Sequence, residues 1–324
     1  MSGQKLREYI PAMQYGAKIY PNDIAGMLGL PHVGNIFYID PSGGNANNSG
    51  GAQNDALLTV AAAYAKMVSG QHDVAIIAPS GGTGRTAETT AITWGKRFAH
   101  LVGSAAPLAQ DSRAGISFGT GGSLTISENG CLFKTLTLNG TTDINVPVTL
   151  SGDYNSFIGV DFKGSLNETT GDDTAARALS ITGAQENYFG GCTFGADTFM
   201  RSAANATVEF ASASSRNVFD ECRFIEATDA TTPVHILFTG TSAIDRWLEF
   251  KDCLFYNFTA NNAAEPAAVM DLSAQTATGH VLLTGICNLH NIDNWEGTAS
   301  GRISMTAYTA TTNAVGKMIN PVVD

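Results

Sequence analysis

The sequence has little charge: only 15% of its 324 residues are Asp, Glu, Lys or Arg, against about 25% in ordinary soluble domains. No apolar run approaches the roughly 20 residues that a membrane-spanning helix needs. The opening stretch MSGQKLREYIPAMQYG has charges and a proline where a secretory signal would be apolar, so we expect no export signal. With 44% hydrophobic residues and 16 Phe, the chain is nevertheless too apolar to be disordered.

Basic residues are also in the minority, 18 against 29 acidic residues, which gives a net charge of −11. Nucleic acid and anionic membranes should repel such a chain, so we expect neither as a partner. The five Cys have no CxxC spacing, which predicts free thiols and no metal site. The Gly-rich stretches lack the spacing of a phosphate or dinucleotide loop. We therefore expect no cofactor.

Glycine is abundant, at 35 residues, and a pattern of phenylalanines, F-x-x-[C/V/L]-x-[F/L], recurs at steps of 24 to 34 residues. Its copies are FKTLTL at Phe133, FIGVDF at Phe157, FGGCTF at Phe189, FDECRF at Phe219, FKDCLF at Phe250 and the weaker TGICNL at Thr284. Alternating apolar residues are typical of strands with one buried face, and a fixed period indicates that successive copies stack. No helical period accompanies the pattern, so helical repeats are excluded.

These observations predict an all-β protein, a right-handed parallel β-helix in which each copy forms one coil about 4.8 Å above the last. The Phe side chains of successive coils should stack. Small apolar Cys side chains should form an internal file rather than a metal site or disulfides; these are Cys192, Cys222 and Cys253. An Asn two places before the first Phe should occupy a left-handed turn position and bond to the adjoining coil; these are Asn155, Asn187 and Asn217.

An open solenoid exposes unpaired strand edges, so its ends need covers. The stretch NDALLTVAAAYAKMVSG predicts an amphipathic helix near residues 55–69 that covers the first coil. Asn54 or Asp55 would cap its start, and Gly70 would stop it.

We expect a single β-helix domain over residues 35–300. Residues 1–34 carry prolines and scattered aromatics without a period, which predicts an irregular arm that packs on its own body or on a partner. Residues 301–324 are expected to form a strand and an extended tail.

The order YIDPSGGNANNSGG, amphipathic helix, VAIIAPSGG and ITWGKRFAHLVG resembles the start of pectate-lyase-like parallel β-helix proteins. The resemblance covers roughly residues 35–290. Many such proteins are bacteriophage virion proteins or extracellular proteins that act on polysaccharides. The resemblance implies the fold, but it does not choose between an enzyme and a scaffold, because this fold carries both.

The enzymes of this fold use clustered carboxylates, and the best candidates are Asp220, Glu221 and Asp252. We expect these acids at equivalent turns of adjacent coils, roughly 5 Å apart, a separation that suits a retaining glycosidase. Asp161 should lie one row lower, with Arg223 nearby. The alternative is a solvated turn in which Lys251 and Arg223 offset the acids.

A second acidic pair, Asp172 and Asp173, lies in the polar loop NETTGDDT and is a weaker candidate. The paired basic motif and calcium carboxylates of pectate lyases have no counterpart. The polygalacturonase Gly-His-Gly motif is missing too, because Gly279-His280 is followed by Val281. We therefore assign no catalytic, cofactor-binding or metal-binding residue and favour a non-enzymatic protein.

The sequence favours a bacteriophage virion structural protein, a capsid decoration or head-associated protein. It would be a homotrimer, assembled in the host cytoplasm, that binds the major capsid protein through residues 1–34. The alternative is a tail spike or fibre that binds or hydrolyses host-surface polysaccharide. A bacterial surface adhesin or lyase is a third possibility, disfavoured by the expected lack of an export signal.

Overall fold

The computed structural model describes residues 34–82, 84–106, 110–259, 264–298, 300–306 and 318–319. The arm predicted over residues 1–34 lies outside the described residues except for Gly34, as does most of the predicted tail.

The described chain winds as a right-handed parallel β-helix with three faces, which confirms the predicted fold. The first face is formed by Ile36–Ile39, Val74–Ile77, His100–Gly103, the first half of Leu132–Gly140, the first half of Ser156–Ser165, Tyr188–Gly190, Val218–Asp220, Trp247–Lys251, His280–Thr284 and Ile303–Thr306. The second face is formed by Arg85–Glu88, Gly115–Phe118, the second halves of the two long strands, Thr193–Phe194, Arg223–Ala227, Leu254–Phe258 and Asn288–His290.

The third face is a separate eight-stranded sheet. Its strands are Ala91–Trp94, Ser123–Ile126, Val148–Leu150, Leu179–Thr182, Ala206–Ser212, Val234–Phe238, Ala268–Asp271 and Asn294–Glu296. A last strand, Met318–Ile319, pairs antiparallel with Ile303–Thr306. Two short helices, Val60–Lys66 and Glu168–Gly171, and a 3-10 turn, Gln53–Asp55, complete the described elements.

Two ladders of phenylalanine fill the interior, as the repeat predicts. On the first face the stacked rings are 4.4 to 5.1 Å apart between centroids; they belong to Phe133, Phe157, Phe189, Phe219 and Phe250. On the second face the spacing is 4.6 to 5.1 Å, through Phe162, Phe194, Phe224 and Phe255. Rings of the two ladders also meet edge-to-face, an arrangement that adds to the free energy of burial. Each additional coil therefore extends both ladders.

The predicted cysteine file is present and consists of free thiols. Cys192, Cys222 and Cys253 are fully buried. The thiol of Cys222 lies 3.3 Å from the carbonyl oxygen of Phe189, one coil below. The file therefore fills the interior behind the phenylalanines.

The asparagines connect adjacent coils, but their backbone differs from the prediction. The Oδ1 atom of Asn187 accepts the backbone N–H of Asn155 at 2.8 Å, and the Oδ1 atom of Asn217 accepts that of Asn187 at 2.9 Å. The left-handed residues are the ones just before the asparagines: Tyr154, Glu186 and Arg216. Each Asn is instead turned inward and buried, because its amide is needed to satisfy interior backbone groups.

A helix covers the first coil, as predicted, but it is shorter than residues 55–69. It spans Val60–Lys66, and Thr59 caps it by accepting the N–H of Ala62. Asn54 and Asp55 cannot cap it because they lie in the 3-10 turn. Leu57, which follows, pairs with Ile39 in extended backbone, so the helix cannot begin before Thr59.

The helix also ends before the predicted Gly70. The Lys96 ammonium donates to the carbonyl oxygens of Tyr64 and Met67 at 2.6 and 2.8 Å, and the N–H of Val68 donates to Asp73 at 2.7 Å. These bonds satisfy the terminal backbone groups and direct the chain out of the helix. At the other end of the helix, the buried carboxylate of Glu88 accepts the N–H of Val60 at 2.7 Å.

Candidate functional site

The predicted acids lie at the corner where the first face turns into the second. Each strand pair is separated there by a residue with left-handed backbone, Glu221 at φ 53° and Asp252 at φ 52°. The strand register pairs Asp220 with Lys251. The expectation of three equivalent acids is therefore wrong for Asp220: only Glu221 and Asp252 occupy matching positions.

Asp220 is held by two donors. Lys251 Nζ lies 3.0 and 3.2 Å from its carboxylate oxygens, and the Tyr188 hydroxyl donates to it at 3.0 Å. The hydrogen bond to Asp220 raises the pKa of Lys251, while burial, followed by the bond to Asp220, raises the pKa of Tyr188. Asp220 thus has the contacts of the alternative prediction, in which Lys251 offsets the charge of an acid at the turn.

The other two acids of the corner differ in their contacts. The Asp252 Oδ1 atom accepts the backbone N–H of Ile286 at 2.7 Å and so shapes the turn of the next coil. A Cβ at Gly285 would lie 2.1 Å from that oxygen, so a larger residue there would displace the Asp252 carboxylate. Glu221 and the nearby Arg223 are exposed. The corner therefore combines an ion pair, a turn-forming acid and an exposed acid.

Asp161 does not belong to this corner. It lies on the outside of the second face, where the register runs from Asp161 to Thr193 and then to Arg223, so it is two coils below Arg223. It is buried and accepts the N–H of Ser112 at 3.0 Å and the hydroxyl of Thr137 at 3.1 Å. Burial raises its pKa, although these bonds oppose the rise.

A charge cluster surrounds Asp161 that the sequence did not predict. Arg85 forms an ion pair with Asp111, and the Lys163 ammonium lies 3.5 Å from Asp111. The Arg85 guanidinium also donates to Asn139 at 3.0 Å. The cluster joins residues from separate coils, so no local spacing reveals it. Its charges are balanced, and its contacts fasten the loop before Gly115 to the second face.

A further buried group lies where the second face turns into the third. Glu226 and His235 have no exposed side-chain surface and approach to 3.6 Å. Burial lowers the pKa of His235, although Glu226 opposes the change. His235 is thus packed in the interior, and substrate could not reach it in this conformation.

The carboxylates of Asp172 and Asp173 accept hydrogen bonds from the backbone of their own loop and of the adjoining loop. Asp172 accepts the N–H groups of Ser202 and Ala203 at 2.6 and 2.9 Å. Asp173 accepts the N–H of Ala175 at 2.7 Å. Across the described ranges, no group of three or more His, Cys, Asp or Glu side chains could hold a metal ion.

The outside of the first face, here called the flank, is weakly charged. The ladder Phe157–Phe189–Phe219 points inward, so the residues beside it point outward. Several of the outward residues with exposed or partly exposed side chains are apolar; they include Tyr38, Ile76, Ile158, Tyr188, Val218 and Leu282. Tyr154 and Tyr188 are 57% and 38% exposed. The flank therefore consists of two outward rows in which apolar side chains are interrupted by polar and charged ones, including Lys134, Glu249 and the ion pair of Asp220 and Lys251.

None of the helices in the described segments is long and apolar enough to cross a membrane.

The fold is a right-handed parallel β-helix like that of pectate lyase. Pectate lyase Pel9A superposes with a TM-score of 0.56 at 13% identity, covering 88% of this chain and 73% of the lyase. A pectin methylesterase in complex with hexasaccharide VII gives 0.44 at 14% identity, covering 86% and 91%. ORF18 of Geobacillus virus E2 gives 0.32 at 12% identity, covering 75% and 56%.

Of these three likenesses, only that to the pectate lyase exceeds 0.5, and at 13% identity it establishes the fold and not the chemistry. No family model matches the chain, and no curated protein matches it.

Proposed function

We propose that this chain is a bacteriophage virion structural protein, a homotrimeric decoration or head-associated protein that binds the capsid shell through residues 1–34. The observation that carries the proposal is the apolar flank. Apolar side chains that lie partly exposed on several successive coils of a rigid sheet, with few charges between them, are typical of a surface that contacts protein.

The geometry of the flank suits a trimer. A cyclic trimer needs two different patches on each subunit, which meet head-to-tail around a threefold axis. A flank facing the axis offers one edge to each neighbour. Because adjacent coils repeat about every 4.8 Å, contacts made at one level recur at the next.

The arm suits a different partner. Residues 1–34 contain the basic residues Lys5, Arg7 and Lys18 and the acidic residues Glu8 and Asp23, whereas the whole chain has a net charge of −11. A slightly basic, apolar segment on an acidic body can bind a surface that would repel the body itself. We infer that this surface is the capsid shell.

The trimer is tested by placing a charge on the flank. The variant Val218→Lys should lower the mass in solution from three chains of 33.9 kDa to one, because a charged side chain on the flank would have to be desolvated on association. The matched control is Thr93→Lys, an exposed strand position on the third face. Analytical ultracentrifugation distinguishes the outcomes, and an unchanged mass for Val218→Lys would contradict the proposed interface.

The virion role is tested by counting copies in purified particles with quantitative mass spectrometry. Hundreds of copies per particle would support decoration, about a dozen would support a spike, and none would refute a virion role. Deletion of residues 1–34 should abolish binding to particles. The variant Val218→Lys, which keeps these residues, should still bind. Full occupancy by the deleted protein would overturn the role of the arm.

The second candidate is a tail spike or fibre that binds or cleaves polysaccharide. The observation that favours it is the exposed corner, where Tyr188, Asp220 and Lys251 offer an aromatic ring and hydrogen-bonding groups at the end of the flank. Release of reducing sugar from capsule or lipopolysaccharide would support this function. Asp220→Asn or Asp252→Asn should then stop the release, and no release from any host glycan would exclude the hydrolase.

A further inference from the structure

The two ends of the solenoid are covered differently. The lower end, at the first coil, is closed by the helix Val60–Lys66, whose Val60 and Ala63 are buried in the core. At the upper end, the strands Asn288–His290 and Asn294–Glu296 each have a strand neighbour on one side only, within the described ranges. The upper end is thus a sheet edge.

This edge also carries apolar surface. Leu289 and Trp295 pack on the core but are only partly buried, whereas Phe255, one coil below, is fully buried. Ile286 is 70% exposed. Unpaired backbone groups beside apolar side chains are the features that make a sheet edge prone to pairing with another chain.

The third strand of the upper end has a strand neighbour on both sides. Ile303–Thr306 continues the first face in parallel with His280–Thr284, and its far side is occupied by Met318–Ile319. The pairing is antiparallel and joins Met305 to Ile319 and Thr306 to Met318. Every other strand pairing in the described chain is parallel. The edge of the first face thus accepts an antiparallel strand.

We propose that Met318–Ile319 is an edge guard, and that the partner it excludes is a second copy of this chain. Two copies that meet through their upper ends are related by a twofold axis, which would set their last strands antiparallel. A strand of the second copy would then occupy the place that Met318–Ile319 holds. The helix on the lower end blocks the corresponding contact there, so loss of the guard leads to pairs and not to filaments.

The experiment uses the full chain with Met318→Pro and Ile319→Pro together, because proline removes the N–H groups that a strand donates. The control is Met318→Leu with Ile319→Val, which keeps both N–H groups. We expect the proline variant to double the mass of whatever assembly the control forms, measured by analytical ultracentrifugation over a concentration series. Equal masses for the two variants throughout the series would overturn the proposal.

Hydrogen exchange provides a second measurement, which does not depend on association. In the unaltered chain the amides of Ile303–Thr306 should be protected. At low concentration the proline variant should exchange the amides of this strand that point toward Met318–Ile319 at least about tenfold faster, because the edge is then open, whereas the amides bonded to His280–Thr284 should be unaffected. Exchange in the Phe189 and Phe219 coils should stay the same, which shows that the solenoid remains folded. Unprotected amides at Ile303–Thr306 in the unaltered chain would contradict a guard at this edge.

Discussion

The asparagine ladder allows a direct test of how the coils are joined, through the substitution Asn187→Ala. The side chain of Asn187 accepts the N–H of Asn155 at 2.8 Å and donates to the carbonyl oxygen of Gln185 at 3.1 Å and to Asn217 at 3.0 Å. Alanine would leave the N–H of Asn155 without this acceptor in the interior. An unpaired buried donor costs about 1–3 kcal/mol. The carbonyl oxygen of Gln185 also loses the hydrogen bond that the Asn187 amide donates to it. We therefore expect a total loss of about 2–4 kcal/mol in the free energy of unfolding.

Urea unfolding followed by circular dichroism measures the total loss, and hydrogen exchange at the amide of Asn155 measures the local one. The matched control is Asn47→Ala, which removes the same groups from an exposed loop position and should change stability by less than about 0.5 kcal/mol. If Asn187→Ala resembled this control and the amide of Asn155 kept its protection, the ladder would not hold the coils together and the reasoning would be refuted.

Three other substitutions or conditions test the packing. Burial, followed by the neighbouring His72, lowers the pKa of His100 from 6.5 to about 4. The stability that this group contributes is therefore present above pH 6.5, and the free energy of unfolding should fall by about 3 kcal/mol as the pH drops to about 4. Urea unfolding of His100→Gln should lack this contribution to the pH dependence. Glu88→Ala should cost about 1–2 kcal/mol by removing the acceptor of the helix at Val60, with faster exchange of that amide as the local sign. Phe219→Ala should cost about 3–5 kcal/mol in urea unfolding, and a loss under about 1 kcal/mol would show that the ladder repacks around the gap.

The main body of the fold was predictable because two periods are visible in the sequence at once. Alternation within FGGCTF marks a strand with one buried face, and the step to FDECRF gives the length of a coil. Together they placed Phe189 over Phe219, and the rings stack at 4.4 Å. The alternation within each copy predicted which residues point inward, and the step between copies predicted which residues of adjacent coils stack on each other.

The candidate site was predicted less well, and one of its errors was avoidable. When FDECRF and FKDCLF are aligned on their first Phe, Asp220 falls on Lys251 and Glu221 falls on Asp252. The ion pair was therefore present in the repeat itself. The cluster of Arg85, Asp111 and Lys163 could not be found in this way, because its members lie outside the repeat pattern and a loop brings Asp111 to the second face.

The helix boundaries were missed for a different reason. Asn54 and Asp55 are good capping residues by type, but the pairing of Leu57 with Ile39 keeps the chain extended beyond them. A tertiary contact thus overrides a local preference. The buried pair of Glu226 and His235 gives no signal at all in the sequence, because each residue taken alone is typical of a surface strand.

The low charge of the chain follows from the register. Stacking places residues of adjacent coils about 4.8 Å apart, so like charges in one row repel each other. On the flank, Asp220 meets Lys251 and not another acid, and Glu249 lies between Val218 and Leu282. Glu221 and Asp252 are the exception, since both acids occupy the same turn of adjacent coils. Asp252 binds the backbone of the next turn, whereas Glu221 is exposed, so water screens their repulsion. A surface with few charges is thus what a stacked fold favours.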